Sequence, residues 1–359
     1  SGALIVSTYL VQGILGLLIT IGLSYTVMPN LFKSSGILLP MGFGQGPGQA
    51  NNVGSTYEQL GFVGGQSFGL SIAAAGFVCA CVVGVIYLNI LNKKGKVKLH
   101  ESEYVSGSLT VDDFQDENEI PISQSVDRLS VQFALVLLVY LATYLVSFGL
   151  TTFLAQAAPG LAKTLSPLIW GFNFIIGSLL AIACRTGLGA LRKTKLMTRQ
   201  HPNNYLLSRI SGVSFDFMII AGIASIEFKE LEGLWIPFIS LAVFGGIVTY
   251  FYLKCLCKRI YPEYEHEAML SLYGMLTGTI SSGVVLVREI DPSYKTPAAN
   301  NLLTGSSFAI LLGAPMLILI GLAPESDLML FFVLGLLVVY LVPLLFIILK
   351  LRRRKAVKK

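Results

Sequence analysis

The stretch 42–54, which reads GFGQGPGQANNVG, opposes helix formation although apolar, helix-favouring segments flank it. It contains five glycines and one proline. Glycine permits positive φ angles and close backbone approach, and proline lacks an amide donor. Because unpaired backbone groups are costly in hydrocarbon, such a break persists at membrane depth only inside protein or beside a wet cavity. We therefore predict that 42–54 forms the tip of a re-entrant hairpin over 32–54; an ordinary extracellular loop is the alternative.

The composition of the whole chain is that of an integral membrane protein. Of its 359 residues, 54% are hydrophobic and 13% are charged, whereas about a quarter of the residues in a soluble domain are charged. The net charge of +6 comes from basic clusters between apolar runs, which set membrane topology and do not indicate a nucleic-acid partner. The sequence predicts an all-α polytopic protein of the lipid bilayer, with helical spans of roughly 20 residues each. The predicted spans are 3–28, 62–91, 129–154, 165–188, 205–226, 234–257, 301–323 and 328–350.

A second apolar segment, AMLSLYGMLTGTISSGVVLVR at 268–288, is also interrupted by glycine, serine and threonine. Basic residues concentrate on the cytoplasmic side of membrane proteins. The basic clusters at 93–98, 192–195 and 350–359 fall on one side only if both interrupted segments enter the membrane and return to the side that they left. The pattern therefore predicts two re-entrant hairpins with discontinuous helices, and a multi-pass topology with a cytoplasmic linker and a cytoplasmic C terminus.

The order of these elements repeats along the chain with inverted orientation. The first two spans and the hairpin between them match the sixth and seventh spans and the second hairpin, and Gly42 corresponds to Gly274. An inverted repeat of this kind is typical of secondary transporters. By this comparison, a complete first half would have three more spans before Ser1. The predicted divisions are an incomplete N-terminal half-repeat at 1–91, a polar cytoplasmic linker at 92–128, a C-terminal half-repeat at 129–323, and an extra span with a basic tail at 324–359.

Both hairpin tips carry groups that suit a charged ligand. Amides at helix starts can hold an anionic group of a substrate, and carbonyl and hydroxyl oxygens can hold a cation. The predicted substrate-binding residues in the tips are Gly44, Gln45, Gly46, Gly48, Asn51, Asn52, Gly278 and Gly283. The predicted sodium ligands in the second tip are Thr279, Ser281 and Ser282.

Two charged residues inside predicted spans are further candidates. Asp216 lies near the middle of the span 205–226, and an intramembrane carboxylate is by default a functional candidate. We predict that it is the charged sodium ligand; a proton site, or a carboxylate that only hydrogen-bonds neighbouring helices, is the alternative. Arg185 lies near the inner end of its span and is a candidate partner for a substrate carboxylate or for Asp216, unless its long side chain reaches the water.

The two broken segments resemble the glycine-rich motifs of the bacterial sodium/glutamate symporter family. GFGQGPGQA at 42–50 is similar to that family's GGHGTGAAW-type motif, and GMLTGTISSG at 274–283 corresponds loosely to its GFGLGATPTA-type motif. The resemblance extends from Ser1 to about Ala323 and identifies the chain as a divergent member that lacks the family's first three spans. It implies sodium-coupled symport of an acidic amino acid, with glutamate expected, across a bacterial inner membrane. It also implies that Na+ is the coupling ion and that no cofactor is needed. A homodimer is left open.

Two other classes of function, a channel or another carrier and an enzyme, are alternatives to symport. A channel, or a carrier of another small carboxylate, would also suit an inverted repeat with hairpins. A membrane-embedded enzyme is the third class, and GQSFG at 65–69 matches the GxSxG pattern of serine hydrolases. That pattern needs a strand-to-helix turn and a histidine partner, and here it opens an apolar span with neither. We therefore predict that the protein is not an enzyme.

Overall fold

The chain is an all-α membrane protein, as the sequence predicts. The structure, a computed structural model, describes residues 1–97, 128–160, 162, 166, 169, 170, 173–194, 202–292 and 294–356. Within these ranges the chain is almost wholly helical and forms no strand. Six of the described helices are long and apolar enough to cross a membrane, and a bent pair is a seventh candidate. The linker predicted at 92–128 lies mostly outside the described residues.

The helices are numbered in chain order. They are α1 (Gly2–Thr26), α2 (Pro47–Gln59), α3 (Gly65–Lys93), α4 (Arg128–Ala157), α5 (Asn173–Lys193), α6 (Asn204–Ala224), α7 (Trp235–Ile260), α8 (Glu265–Thr277), α9 (Ile280–Arg288), α10 (Ala298–Leu322) and α11 (Asp327–Ala356). Shorter turns precede α2 and α7: a 3-10 turn at Lys33–Ile37, a π turn at Pro40–Gly44, and a 3-10 turn at Phe228–Leu231.

Seven of the predicted spans correspond to membrane-spanning candidates, and one does not. The candidates are α1, α3, α4, α6, α7 and α11, with the bent α10 as the seventh. The remaining prediction, 165–188, begins among residues that the structure describes only in part, and α5 covers it from Asn173 onward. This helix carries Arg185 midway and Arg192 and Lys193 in its last turn, so the described part is less apolar than the others.

The described residues form two compact units. The larger unit, Ser1–Ser102 with Met218–Lys359, holds α1 to α3, the end of α6, and α7 to α11. Within it, α1 packs against α7, α10 and α11 and buries apolar side chains such as Leu10 and Leu17. The smaller unit, Glu103–Phe217, holds α4, α5 and most of α6. Along α4 no apolar side chain is buried and most are exposed, which is the pattern of a helix that faces lipid.

Glycines allow helices of the larger unit to approach closely. A Cβ atom built on Gly16 would lie 2.0 Å from the carbonyl oxygen of Gly36, so α1 and the 3-10 turn touch backbone to backbone. A Cβ atom on Gly54 would lie 2.4 Å from the carbonyl oxygen of Gly65, which joins α2 to α3 in the same way. Interfaces of small residues are typical of helix packing in membranes, where van der Waals contact replaces the hydrophobic effect.

Contacts join residues on either side of each interrupted segment. The rings of Phe32 and Phe62, which flank the first segment, stack with centroids 5.0 Å apart and an interplanar angle of 11°. At the second segment, Asn301 Nδ2 donates a hydrogen bond to Tyr264 Oη over 3.0 Å. The contact at the first segment joins the connections that flank it, and the contact at the second joins the residue before α8 to the first turns of α10.

A proline explains the bend in α10. Its two parts, Ala298–Ile310 and Leu312–Leu322, meet at 54°. Pro315 lies inside the helix, where its ring crowds the carbonyl four residues earlier and removes one amide donor. Across the bend, Tyr340 Oη of α11 donates to the carbonyl oxygen of Leu312 over 2.6 Å. The hydroxyl of Tyr340 thus ties α11 to α10 beside the bend.

Candidate functional site

The first interruption of helical structure is much shorter than the sequence predicts. The π turn Pro40–Gly44 ends immediately before it and α2 begins immediately after it, which leaves only Gln45 and Gly46 outside helical structure. We call these two residues the first break. Gly46 has φ +85° and ψ −176°, a conformation that is nearly confined to glycine. The prediction that all of 42–54 forms a tip is wrong, because Pro47 fits the first turn of a helix and starts α2 there.

The second interruption consists of Gly278 and Thr279, which we call the second break. Helix α8 ends at Thr277 and α9 begins at Ile280. The hydroxyl of Thr279 caps α9, since its Oγ1 accepts a hydrogen bond from the Ser282 amide over 3.4 Å. A capping threonine satisfies one of the unpaired amides at a helix start.

The two breaks lie against each other inside the larger unit. A Cβ atom built on Gly46 would lie 3.5 Å from Thr279 Cγ2 and 3.6 Å from the carbonyl oxygen of Gly278. The two breaks are therefore near neighbours, and a methyl group at position 46 would come into van der Waals contact with the second break. Helices α2 and α9 both start here, and the π turn and α8 both end here. Helix starts present amides and a partial positive charge, and helix ends present carbonyls and a partial negative charge.

The predicted residues of the first segment are only partly brought together. Gln45 and Gly46 form the first break, and Gly44 precedes it, buried beside the ring of Tyr9. The remaining three lie within the first turns of α2: Gly48, Asn51 and Asn52. A Cβ atom on Gly48 would lie 2.5 Å from Met218 Sδ, so this glycine is used for packing.

Asn51 is bound away from the break. Its Oδ1 accepts a hydrogen bond from Gln66 Nε2 of α3 over 2.7 Å. Asn52, the next residue of α2, is half-buried.

The predicted residues of the second segment also divide into two sets. Gly278 and Thr279 form the second break, and the hydroxyls of Thr279 and Ser282 are 3.4 Å apart. Ser281 is exposed. A Cβ atom on Gly283 would lie 2.3 Å from the carbonyl oxygen of Ser271, so this glycine allows α8 and α9 to cross closely.

The two charged candidates belong to the smaller unit, whereas both breaks belong to the larger unit. Asp216 is exposed on α6. Arg185 is exposed on α5, and its Nη2 donates to Asn204 Oδ1 over 3.3 Å. A role for either residue in binding sodium or a substrate therefore stays a prediction.

Sequence reasoning missed a polar residue that touches both segments. Gln12 on α1 is 1% exposed. Its Nε2 donates to Thr249 Oγ1 over 3.0 Å and to the carbonyl oxygen of Leu276 over 2.9 Å. Its Oε1 is buried, accepts no hydrogen bond from the part of the chain that the structure describes, and would lie 3.1 Å from a Cβ atom on Gly44. The signal in the sequence was a lone amide inside an apolar span, since burying an amide is costly unless it has partners.

The comparisons with known proteins add no family to this description. Neither the protein-family models nor the curated proteins nor the solved structures give a match to the chain.

Proposed function

We propose that the protein is a sodium-coupled secondary transporter that carries an acidic amino acid, with glutamate as the expected substrate, across a bacterial inner membrane. One observation carries the proposal: two broken helical segments from distant parts of the chain meet at their breaks, Gln45–Gly46 and Gly278–Thr279. Discontinuous helices that meet in this way build the substrate and ion sites of many secondary transporters.

The ends of the four helical pieces suit a substrate that carries both signs of charge. The starts of α2 and α9 offer amide donors to carboxylates, as helix starts do for anions generally. The ends of the π turn and of α8 offer carbonyl oxygens to an ammonium group or a sodium ion. An amino acid and a coupling ion together need both kinds of group within a few ångströms.

The order of the elements supports an inverted repeat with two re-entrant hairpins. A long helix, a broken segment and a long helix occur twice, as α1 to α3 and as α7 to α10. The contact between Phe32 and Phe62 brings together the two ends of the first segment, and the contact between Tyr264 and Asn301 brings together elements on either side of the second. A segment that enters the bilayer and returns to the same side has its ends adjacent in this way.

The remaining roles in the proposal follow the sequence analysis. Thr279, Ser281 and Ser282 offer hydroxyl oxygens to a sodium ion, and the roles of Asp216 and Arg185 stay predictions from the sequence. The polar linker and the basic tail face the cytoplasm. Pairing of two chains into a homodimer is part of the same proposal.

Equilibrium binding tests the proposal most directly, because binding does not require a complete transport cycle. Radiolabelled glutamate is titrated onto the purified chain in NaCl and in KCl of equal ionic strength, with aspartate, succinate and leucine as competitors. We expect saturable binding in NaCl, at least about tenfold weaker binding in KCl, and competition by aspartate. Equal binding in both salts would refute sodium coupling, and the absence of any acidic amino acid among the bound ligands would refute the substrate. Uptake into proteoliposomes that fails to saturate would instead indicate a channel.

A further inference from the structure

The buried amide of Gln12 has a fixed orientation. A backbone carbonyl can only accept a hydrogen bond, so the group that faces the carbonyl oxygen of Leu276 must be the amide nitrogen. The Oε1 atom therefore points away from Leu276, to the side on which Gly44 lies. Side-chain amides are often placed ambiguously, but this one is assigned by its own partner.

The position of this oxygen is at the junction of the two broken segments. Leu276 lies in the last turn of α8, just before the second break, and Gly44 is the residue immediately before the first break. Gln12 thus hydrogen-bonds the end of α8 and lies beside the end of the π turn. A buried acceptor without a donor destabilises a protein, so we expect a group that binds there to satisfy it.

We propose that Gln12 Oε1 is a ligand for a small cationic group, either a sodium ion or the ammonium group of an amino acid. This proposal rests on the proposed function for the identity of the ligand, but not for the position of the site. Both nitrogen hydrogens of the amide are engaged, which leaves the oxygen as the only free function. Helix ends carry partial negative charge, so the end of α8 and the end of the π turn favour a cation at this point.

The experiment compares three forms of the full chain in detergent. Gln12→Met has nearly the same volume and removes the oxygen. Thr249→Val is the matched control, because it removes one partner of Nε2 and keeps the oxygen of Gln12. The thermal unfolding midpoint is followed against NaCl or methylammonium chloride, with choline chloride holding the ionic strength constant. It is then followed in NaCl against glutamate and against glutarate, the same dicarboxylate without the ammonium group.

We expect Gln12→Met to raise the half-saturating concentration of one cationic probe at least about tenfold, and Thr249→Val to change it less than about twofold. A higher half-saturating concentration of NaCl in Gln12→Met identifies sodium as the ligand. A higher half-saturating concentration of methylammonium, or of glutamate but not of glutarate, identifies the ammonium group as the ligand. If Gln12→Met does not fold, Gln12→Asn replaces it, since the shorter amide cannot reach both Leu276 and the Gly44 side.

Failure of this inference is distinguishable from failure of the proposed function. If the wild-type chain binds sodium and glutamate and the Gln12 variants bind both unchanged, Gln12 only holds helices together and the inference is overturned. If the wild-type chain binds a cation through Gln12 but no carboxylate, the inference stands and the symport proposal is overturned. A wild-type chain that responds to no cation overturns both.

Discussion

At the scale of single residues, Gly46 is the position where the backbone conformation is most restrictive. Its φ of +85° with ψ near −176° is a combination that costs a residue with a side chain about 1–3 kcal/mol. We therefore expect Gly46→Ala to lower the free energy of unfolding by about 1–3 kcal/mol. The measurement is the denaturant or thermal midpoint of the purified chain in detergent.

A glycine in ordinary helix provides the control for this prediction. Gly22 in α1 has no atom within 4 Å of a built Cβ, and its φ is not positive. Alanine favours helix over glycine by up to about 1 kcal/mol, so Gly22→Ala should be neutral or stabilising. An equal loss of stability in both variants would show that the conformation at Gly46 is not the cause.

At the scale of elements, the long helices and the two interrupted segments were predictable, but the short extent of each break was not. The length and hydropathy of a run decide whether it can cross a bilayer, and both can be read from residue types. The residue at which a segment breaks depends on which part of the chain packs against it. Gly46, for example, lies beside Gly278 and Thr279. Composition pointed to all of 42–54, but most of that stretch is stabilised as helix by Pro47 and by packing on α3.

The same limit explains two further differences between expectation and structure. The bend at Pro315 within the span 301–323 was not predicted, and the hydroxyl of Tyr340 donates to the carbonyl of Leu312 beside it. Gln12 was overlooked because its partners, Thr249 and Leu276, lie more than 200 residues away along the chain. Neither contact has a local pattern from which it could have been predicted.

The turn between α9 and α10 carries a pH-dependent contribution to stability. The Asp291 carboxylate accepts hydrogen bonds from the Lys295 amide and from the amide and hydroxyl of Thr296 at 2.6–2.8 Å. Burial of Asp291 favours its neutral form, but the hydrogen bonds from Thr296 and Lys295 and the charge of Lys295 outweigh burial and lower its pKa below the ordinary 3.8. A lowered pKa means that this stabilisation is present above about pH 4 and is lost as the pH falls through the folded-state value.

We therefore expect Asp291→Asn to destabilise the protein at pH 7 and to match wild type more closely as the pH drops below about 4. The measurement is the thermal midpoint of both forms across that range. Glu289→Gln removes a nearby exposed carboxylate and serves as the control. A difference between wild type and Asp291→Asn that stays constant with pH would rule out the titration of Asp291 as its source.

At the scale of the whole molecule, the proposal depends on whether the first segment returns to its own side of the membrane. Its flanking residues Asn30 and Val63 are both exposed, and the stacked rings of Phe32 and Phe62 lie between them and the segment. If the segment is re-entrant, these two positions face the same side, and Lys94 at the far end of α3 faces the other. If the segment crosses the bilayer, Asn30 and Val63 face opposite sides.

Single cysteines at these positions decide between the two arrangements. Asn30→Cys, Val63→Cys and Lys94→Cys are placed in a background whose five native cysteines, all of them free thiols, are replaced by alanine. An impermeant thiol reagent is applied to right-side-out and inside-out vesicles, with full labelling in detergent as the reference. We expect the first two positions to label only in right-side-out vesicles and Lys94→Cys only in inside-out vesicles, because basic residues concentrate on the cytoplasmic side. Opposite labelling of Asn30→Cys and Val63→Cys would make the segment a full span, and the two breaks would then need another explanation for meeting.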